Sequence, residues 1–134
     1  MNIQHVNPDG LLSLPEYSQV VVSPPGRLAF IAGQGAFDRE FNLVGADDLH
    51  AQTVQAFVNL RTALAGVGAS PAHVLSSTIY VVDLDEAKTA TFVAAMKVAL
   101  DDQPFPPNAS TLVGVTRLGH PQMLIEISAI AALP

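Results

Sequence analysis

An α+β fold, a mixed β-sheet with two helices packed on one face, is what this 134-residue sequence predicts. Three observations point there. Strand-like runs outnumber helical ones and fall in the order β-β-β-α-β-α-β-β. Each helical stretch follows a strand and returns to one. Breaker residues separate the runs, with no repeat, low-complexity tract or interdomain linker between them. A chain of this length suits a single domain spanning 1–134, without room for a second of ordinary size.

Ile3–Val6 suits a short edge strand, and Asn7-Pro8-Asp9-Gly10 is turn chemistry. Leu11–Tyr17 has no period and reads as irregular. Gln19–Ser23 is β-branched, Pro24-Pro25-Gly26-Arg27 breaks it, and Leu28–Gln34 resumes it, which predicts a hairpin. Gly33 and Gly35 end regular pairing, and Phe37–Gly45 is a loop of mixed charge. Asp47 or Asp48 supplies a helix cap. Leu49, Thr53, Ala56, Leu60, Leu64 and Val67 then recur at spacings of three or four, one face of a helix that stops at Gly66 or Gly68. Val74–Asp83, rich in Val, Ile, Thr and Tyr, is a strand. Asp83 or Asp85 caps a second helix whose Phe92, Met96 and Ala99 share a face, and Pro104, Pro106 and Pro107 end that region. Two last strands cover about 110–117 and 123–131, joined through Gly119-His120-Pro121-Gln122. One face of the sheet is left without helical cover.

Apolar residues make up 49% of the chain and charged residues 13%, against roughly 25% charged in an ordinary soluble domain. That is too little charge to coat a monomer comfortably, so the uncovered sheet face is expected to pack against further copies of the chain. The formal charge is −6, and the six basic residues (Arg27, Arg39, Arg61, Lys88, Lys97, Arg117) are scattered. Binding a phosphate backbone needs grouped cations, so nucleic acid is not an expected partner. The chain has no cysteine, which excludes disulfides and thiol chemistry. No run reaches the roughly 18 apolar residues of a membrane span. Met1–Val6 lacks the pattern of a signal peptide. These features predict a cytoplasmic protein that engages neither membrane nor nucleic acid.

One acid stands out. Glu126 sits between Ile125 and Ile127 in an otherwise apolar run, and a carboxylate there has to be paired, hydrated or useful. It suits a base that positions or deprotonates water; equally it suits an interface carboxylate held by backbone amides or an arginine. Tyr17 suits either a hydroxyl aimed into a cleft or a ring packed beside a turn. Ser110 and Thr111 open a strand, where hydroxyls serve as ligand donors or merely as edge chemistry, and neither has an evident activating base. His5, His50, His73 and His120 lie in different elements without metal-ligand spacing, so they are expected on the surface and no metal is expected. Gly33-Gln34-Gly35 lacks the third glycine and helix start of a dinucleotide fingerprint.

Several strings, taken in order, resemble the RidA (YjgF/YER057c/UK114) family. They are Pro15-Glu16-Tyr17-Ser18-Gln19, Ala32-Gly33-Gln34, Gln52-Thr53 followed by Asn59-Leu60, Ala69-Ser70 into Val74, and Ser76–Leu84. The proline-led strand ending Val115-Thr116-Arg117-Leu118 and the closing Ile125–Ala131 complete the set. The resemblance implies a chorismate-mutase-like α+β fold, a homotrimer with small-molecule clefts between subunits, and no metal or organic cofactor. It implies hydrolysis of reactive enamines and imines to carbonyl compounds and ammonia. In that family an arginine holds the substrate carboxylate, a glutamate near the C-terminus places the attacking water, and a tyrosine lines the cleft. Tyr17, Gly33 and Glu126 match the family's tyrosine, glycine and glutamate. Ala32 and Ser128 stand where the family has a serine and a second glutamate.

Ser110 stands where the family has its arginine. A serine cannot form the charged, two-pronged clamp of a guanidinium, and losing such a contact costs on the order of 2–5 kcal/mol of binding. That points away from a free α-carboxylate and toward neutral or differently shaped ligands. Arg117 lies roughly 23 Å further along an extended strand and is no substitute. The residues expected at the pocket are therefore Tyr17, Gly33, Ser110 and Leu112, with Glu126 nearest the chemistry. Three functions are compatible with this set: an imine or enamine deaminase, a non-catalytic small-molecule-binding trimer, and, disfavoured by the acidic charge, an endoribonuclease or translation inhibitor.

Overall fold

The computed structural model describes residues 1–134. In chain order it contains β1 (Gln4–Val6), β2 (Val20–Val22), β3 (Leu28–Gln34), α1 (Leu49–Ala65), β4 (Val74–Val82), α2 (Glu86–Val98), β5 (Ala109–Val115) and β6 (Ile125–Ala132). A 3-10 turn, Pro71–His73, leads into β4. Four strands form one sheet in the order β3-β6-β4-β5, and β1 pairs with β2 in a small ribbon. β6 runs antiparallel to both β3 and β4, while β5 runs parallel to β4. The last strand is thus inserted at the centre of the sheet. The fold is α+β, with both helices on one face of a mixed sheet, as the sequence predicts.

The hairpin expected between Gln19–Ser23 and Leu28–Gln34 does not form. β2 pairs with β1 through His5↔Val21, and β3 pairs with β6 through Phe30↔Ile130. Pro24 and Pro25 have no N–H to offer a ladder, and β6 gives β3 a longer partner than β2 could.

α1 begins where Asp48, not Asp47, accepts the N–H of Ala51 at 3.0 Å. Its Thr53, Ala56, Leu60 and Leu64 are buried. The Ala69 N–H donates to the Leu64 carbonyl at 2.9 Å across Gly68, which has the left-handed φ of +76° that such an ending needs. Val67, assigned to the buried face from its spacing, is instead exposed, because the helix has already ended at Ala65. α2 is capped by Asp85, whose carboxylate accepts the Lys88 N–H at 2.7 Å. It stops at Val98, before the prolines, in a turn where Asp101 and Asp102 both adopt positive φ.

Side-chain alternation decides the layers. On β4 and β6, Ile79, Val81, Ile125 and Ile127 are buried and join one core with Leu60 and Leu64 of α1 and Phe92 and Met96 of α2. Each such side chain contributes about 1.5–3 kcal/mol when fully buried. The opposite face carries Tyr80 beside Glu126, Thr78 beside Ser128, and Phe30 beside Ile130. No helix covers it, and Phe30 is 75% exposed.

None of the four histidines is buried, and His73 and His120 also carry structural contacts. His73 accepts the Ser70 N–H at 3.0 Å and caps the 3-10 turn. His120 packs edge-on against Phe37 and Phe41, with ring centroids 5.4 and 5.9 Å away.

Candidate functional site

A cavity of about 550 Å³ separates α2 from the edge strand β5, within the range of small-molecule sites. Phe57, Phe92, Phe105 and Met96 form its apolar wall. Phe105 sits 4.7 Å from Phe57 between ring centroids, and its N–H donates to the Met96 carbonyl at 3.1 Å. β5 contributes Ser110 and Leu112, which pair in register with Ser77 and Ile79 of β4 and therefore point to the helix side of the sheet.

The segment Leu14–Ser18 closes one end and supplies Glu16 and Tyr17. It has no regular structure, so something must hold it. The Ser18 N–H donates to the Asn108 carbonyl at 2.9 Å, and the Asn108 Oδ1 accepts the buried Ser77 hydroxyl at 2.7 Å. The Tyr17 hydroxyl accepts from Gln19 Nε2 at 3.2 Å. His5 Nδ1 lies 2.8 Å from the buried Ser18 hydroxyl. Asn108 therefore ties the irregular segment to the start of β5, and Tyr17 is placed by that tie.

Glu16 has one oxygen 4.0 Å from Lys97 Nζ at the rim. Its other oxygen, Oε2, is buried with no hydrogen-bond partner. It is the one buried side-chain polar atom in the protomer without a partner.

Gly33 and Glu126 lie elsewhere. Glu126 pairs in register with Tyr80 and projects from the uncovered face. Its carboxyl group lies across Gly33, so a Cβ at Gly33 would collide with it. The two ion pairs of the protomer, Arg61–Asp101 and Lys97–Glu16, do not include Glu126. Of the five residues expected at one pocket, the fold thus brings together Tyr17, Ser110 and Leu112 on one side of the sheet. It sets Gly33 and Glu126 against each other on the opposite side. Within one protomer the two groups of residues lie back to back across the sheet.

Sequence reasoning missed Glu16, Asn108 and the phenylalanine cluster. A solitary acid in Leu14-Pro15-Glu16-Tyr17 was a signal of the same kind as Glu126. The phenylalanines carried none, because they come from α1, α2 and the loop before β5 and look like ordinary core.

The family model described as endoribonuclease L-PSP matches residues 9–133. The conserved Rid-family protein YyfB of Yersinia pestis is similar in structure, with a TM-score of 0.89 at 38% identity over 99% of this chain and 100% of its own. Rv2704 of Mycobacterium tuberculosis, a member of the YjgF/YER057c/UK114 family, gives 0.62 at 30% identity, with 87% and 86% covered. NMB1025 of Neisseria meningitidis, from the YjgF family, shares the fold at 24% identity, with a TM-score of 0.61 and 100% and 97% covered. The chain belongs to the endoribonuclease L-PSP family, that of the RidA and YjgF proteins.

Proposed function

We propose that this Rid-family chain assembles as a cytoplasmic homotrimer and that the two half-sites meet between neighbouring protomers. There they hydrolyse a reactive imine or enamine to a carbonyl compound and ammonia, without metal or organic cofactor. The observation that carries this reading is the back-to-back placement of Tyr17, Ser110 and Leu112 against Gly33 and Glu126. The uncovered face supplies the contact: Phe30 and Leu28 are exposed there, and burying such apolar surface drives association.

The chemistry follows from the groups. An enamine first takes a proton on carbon, gives one up from nitrogen and becomes an imine. Glu126 removes a proton from water as the water oxygen bonds to the imine carbon, and the C=N electron pair moves to nitrogen, which is protonated. The carbinolamine then collapses: its hydroxyl proton passes to the nitrogen through Glu126, the C–O bond becomes C=O, the C–N bond breaks, and ammonia leaves. A positioned base of this kind contributes typically about 10²–10⁴-fold. Gly33 leaves the carboxylate room to lie against its own strand. Ammonia release from 2-aminoacrylate and from a neutral imine that lacks a carboxylate, each generated in situ, with sedimentation to report assembly, tests this. A trimer that gives no acceleration over buffer would overturn the hydrolytic reading.

Ser110 favours a second reading, a trimer that binds a small molecule without turnover, because no arginine lines the cavity. Thermal-shift comparison with Ser110→Arg separates the two: deamination by the variant alone would assign the natural chain to binding. RNA cleavage receives no support from a formal charge of −6 with scattered cations.

A further inference from the structure

We infer that Glu16 is a specificity-determining acceptor and that the cavity between α2 and β5 takes a ligand with an ammonium or iminium head on an apolar body. This rests on the reading of that cavity as the substrate side of the cleft. Three observations carry it. Glu16 lines the cavity with Oε2 buried and lacking a donor. An acceptor left so is costly unless some donor reaches it, and for a charged acceptor the favoured donor is a cationic N–H. The cavity wall is otherwise apolar or uncharged, and it includes no Lys, Arg or His. The neighbouring cation, Lys97, stays outside the wall, is 57% exposed and lies at 4.0 Å from the other oxygen, so it leaves Oε2 unanswered.

Ser110 adds to this. A guanidinium at its position would occupy the same cavity as Glu16 and could pair with it across the space. With a serine there, the acid is the only formal charge on the wall. The site's preference is thereby inverted, from a carboxylate end toward an amine end. Phe57, Phe92 and Phe105 offer ring faces and edges to an apolar or aromatic body. An iminium substrate would bring its charged nitrogen to Glu16 while its carbon faced water held by the neighbouring protomer.

The test is calorimetric binding of three ligands of one shape, benzylamine, benzyl alcohol and benzoate, to the assembled protein and to Glu16→Gln. Benzylamine is expected to bind about tenfold more tightly than benzyl alcohol, with benzoate weakest. Glu16→Gln is expected to erase the amine preference, bringing benzylamine binding down to the level of benzyl alcohol. An amine that does not outbind the alcohol, including no binding of either at millimolar concentration, overturns the inference. So does a variant that keeps the preference, or one that loses its assembly and thereby assigns Glu16 to a protomer contact. Binding needs no turnover, so the two readings fail separately. Amine preference without ammonia release would remove the hydrolytic chemistry alone, and turnover without amine preference would remove the role of Glu16 alone.

Discussion

The two faces of the central sheet are built from the same strands and do opposite things. Along β6, Ile125 and Ile127 point under the helices and are buried, while Glu126 and Ser128, between and beside them, point to the uncovered side. The helix-covered face is finished within one protomer except at its edge, where α2 stands off β5 and leaves a cavity. The other face is unfinished throughout: it exposes Phe30 and carries a carboxylate outside both ion pairs of the chain. Period-two alternation, which puts neighbours on opposite faces, separates the residues that fill the core from those left on the open face at a spacing of one. The two faces should therefore respond differently to substitution.

The largest expected effect is on the uncovered face. Glu126→Gln should lower the rate of ammonia release by about 10²–10⁴ while leaving the thermal midpoint nearly unchanged. One position along, Ile127→Ala should do the reverse. It removes a fully buried side chain and should cost about 2–5 kcal/mol in denaturant unfolding. If both substitutions lowered stability alike, the division between the faces would be wrong.

Phe30→Asp comes next. It should weaken association by at least about 2 kcal/mol, seen as dissociation in a sedimentation dilution series. The fold of each protomer should survive, because Phe30 is 75% exposed. Gly33→Ala sharpens the comparison further. Its Cβ would displace the Glu126 carboxyl, so turnover should fall by up to about 10²-fold, as expected for a misplaced base, with little change in assembly. The smallest effect lies away from both faces. The Asn42 backbone N–H and side chain hold the Asp38 carboxyl below its usual range. This contribution to the 38–42 turn is therefore present above the ordinary carboxylate pKa and lost as pH falls through the lowered one. Asp38→Asn should flatten that acid limb in amide-exchange measurements on the turn.

Much of the fold was legible because its signals are local. The spacing from Leu49 to Leu64 and the caps at Asp48 and Asp85 report on their own neighbourhoods. The hairpin reading failed because the partner of Phe30 is Ile130, at the far end of the chain, and nothing near Pro24-Pro25 announces it. Glu126 was legible as a charge among isoleucines. The face it would occupy was legible only in part: alternation gives sides but not which residues of other strands share them. That Ser110 and Glu126 lie on opposite faces depends on the parallel register of β5 with β4, which brings Ser110 beside Ser77. Glu16 escaped notice because its setting depends on the Asn108 tie, a contact between distant segments.

The central claim, that the two halves of the site are joined only between copies, has one direct measurement. The chain lacks cysteine, so Ser110→Cys with Glu126→Cys places two thiols at chosen points on a silent background. Within a protomer they sit two strands apart and three residues out of register, about 14 Å, on opposite sides of the sheet, where a short thiol crosslinker cannot pass. Treatment of the assembled double variant should give chains covalently joined as dimers and trimers on a denaturing gel, with neither single variant doing so. Chains that remain uncrosslinked at every protein concentration would contradict it.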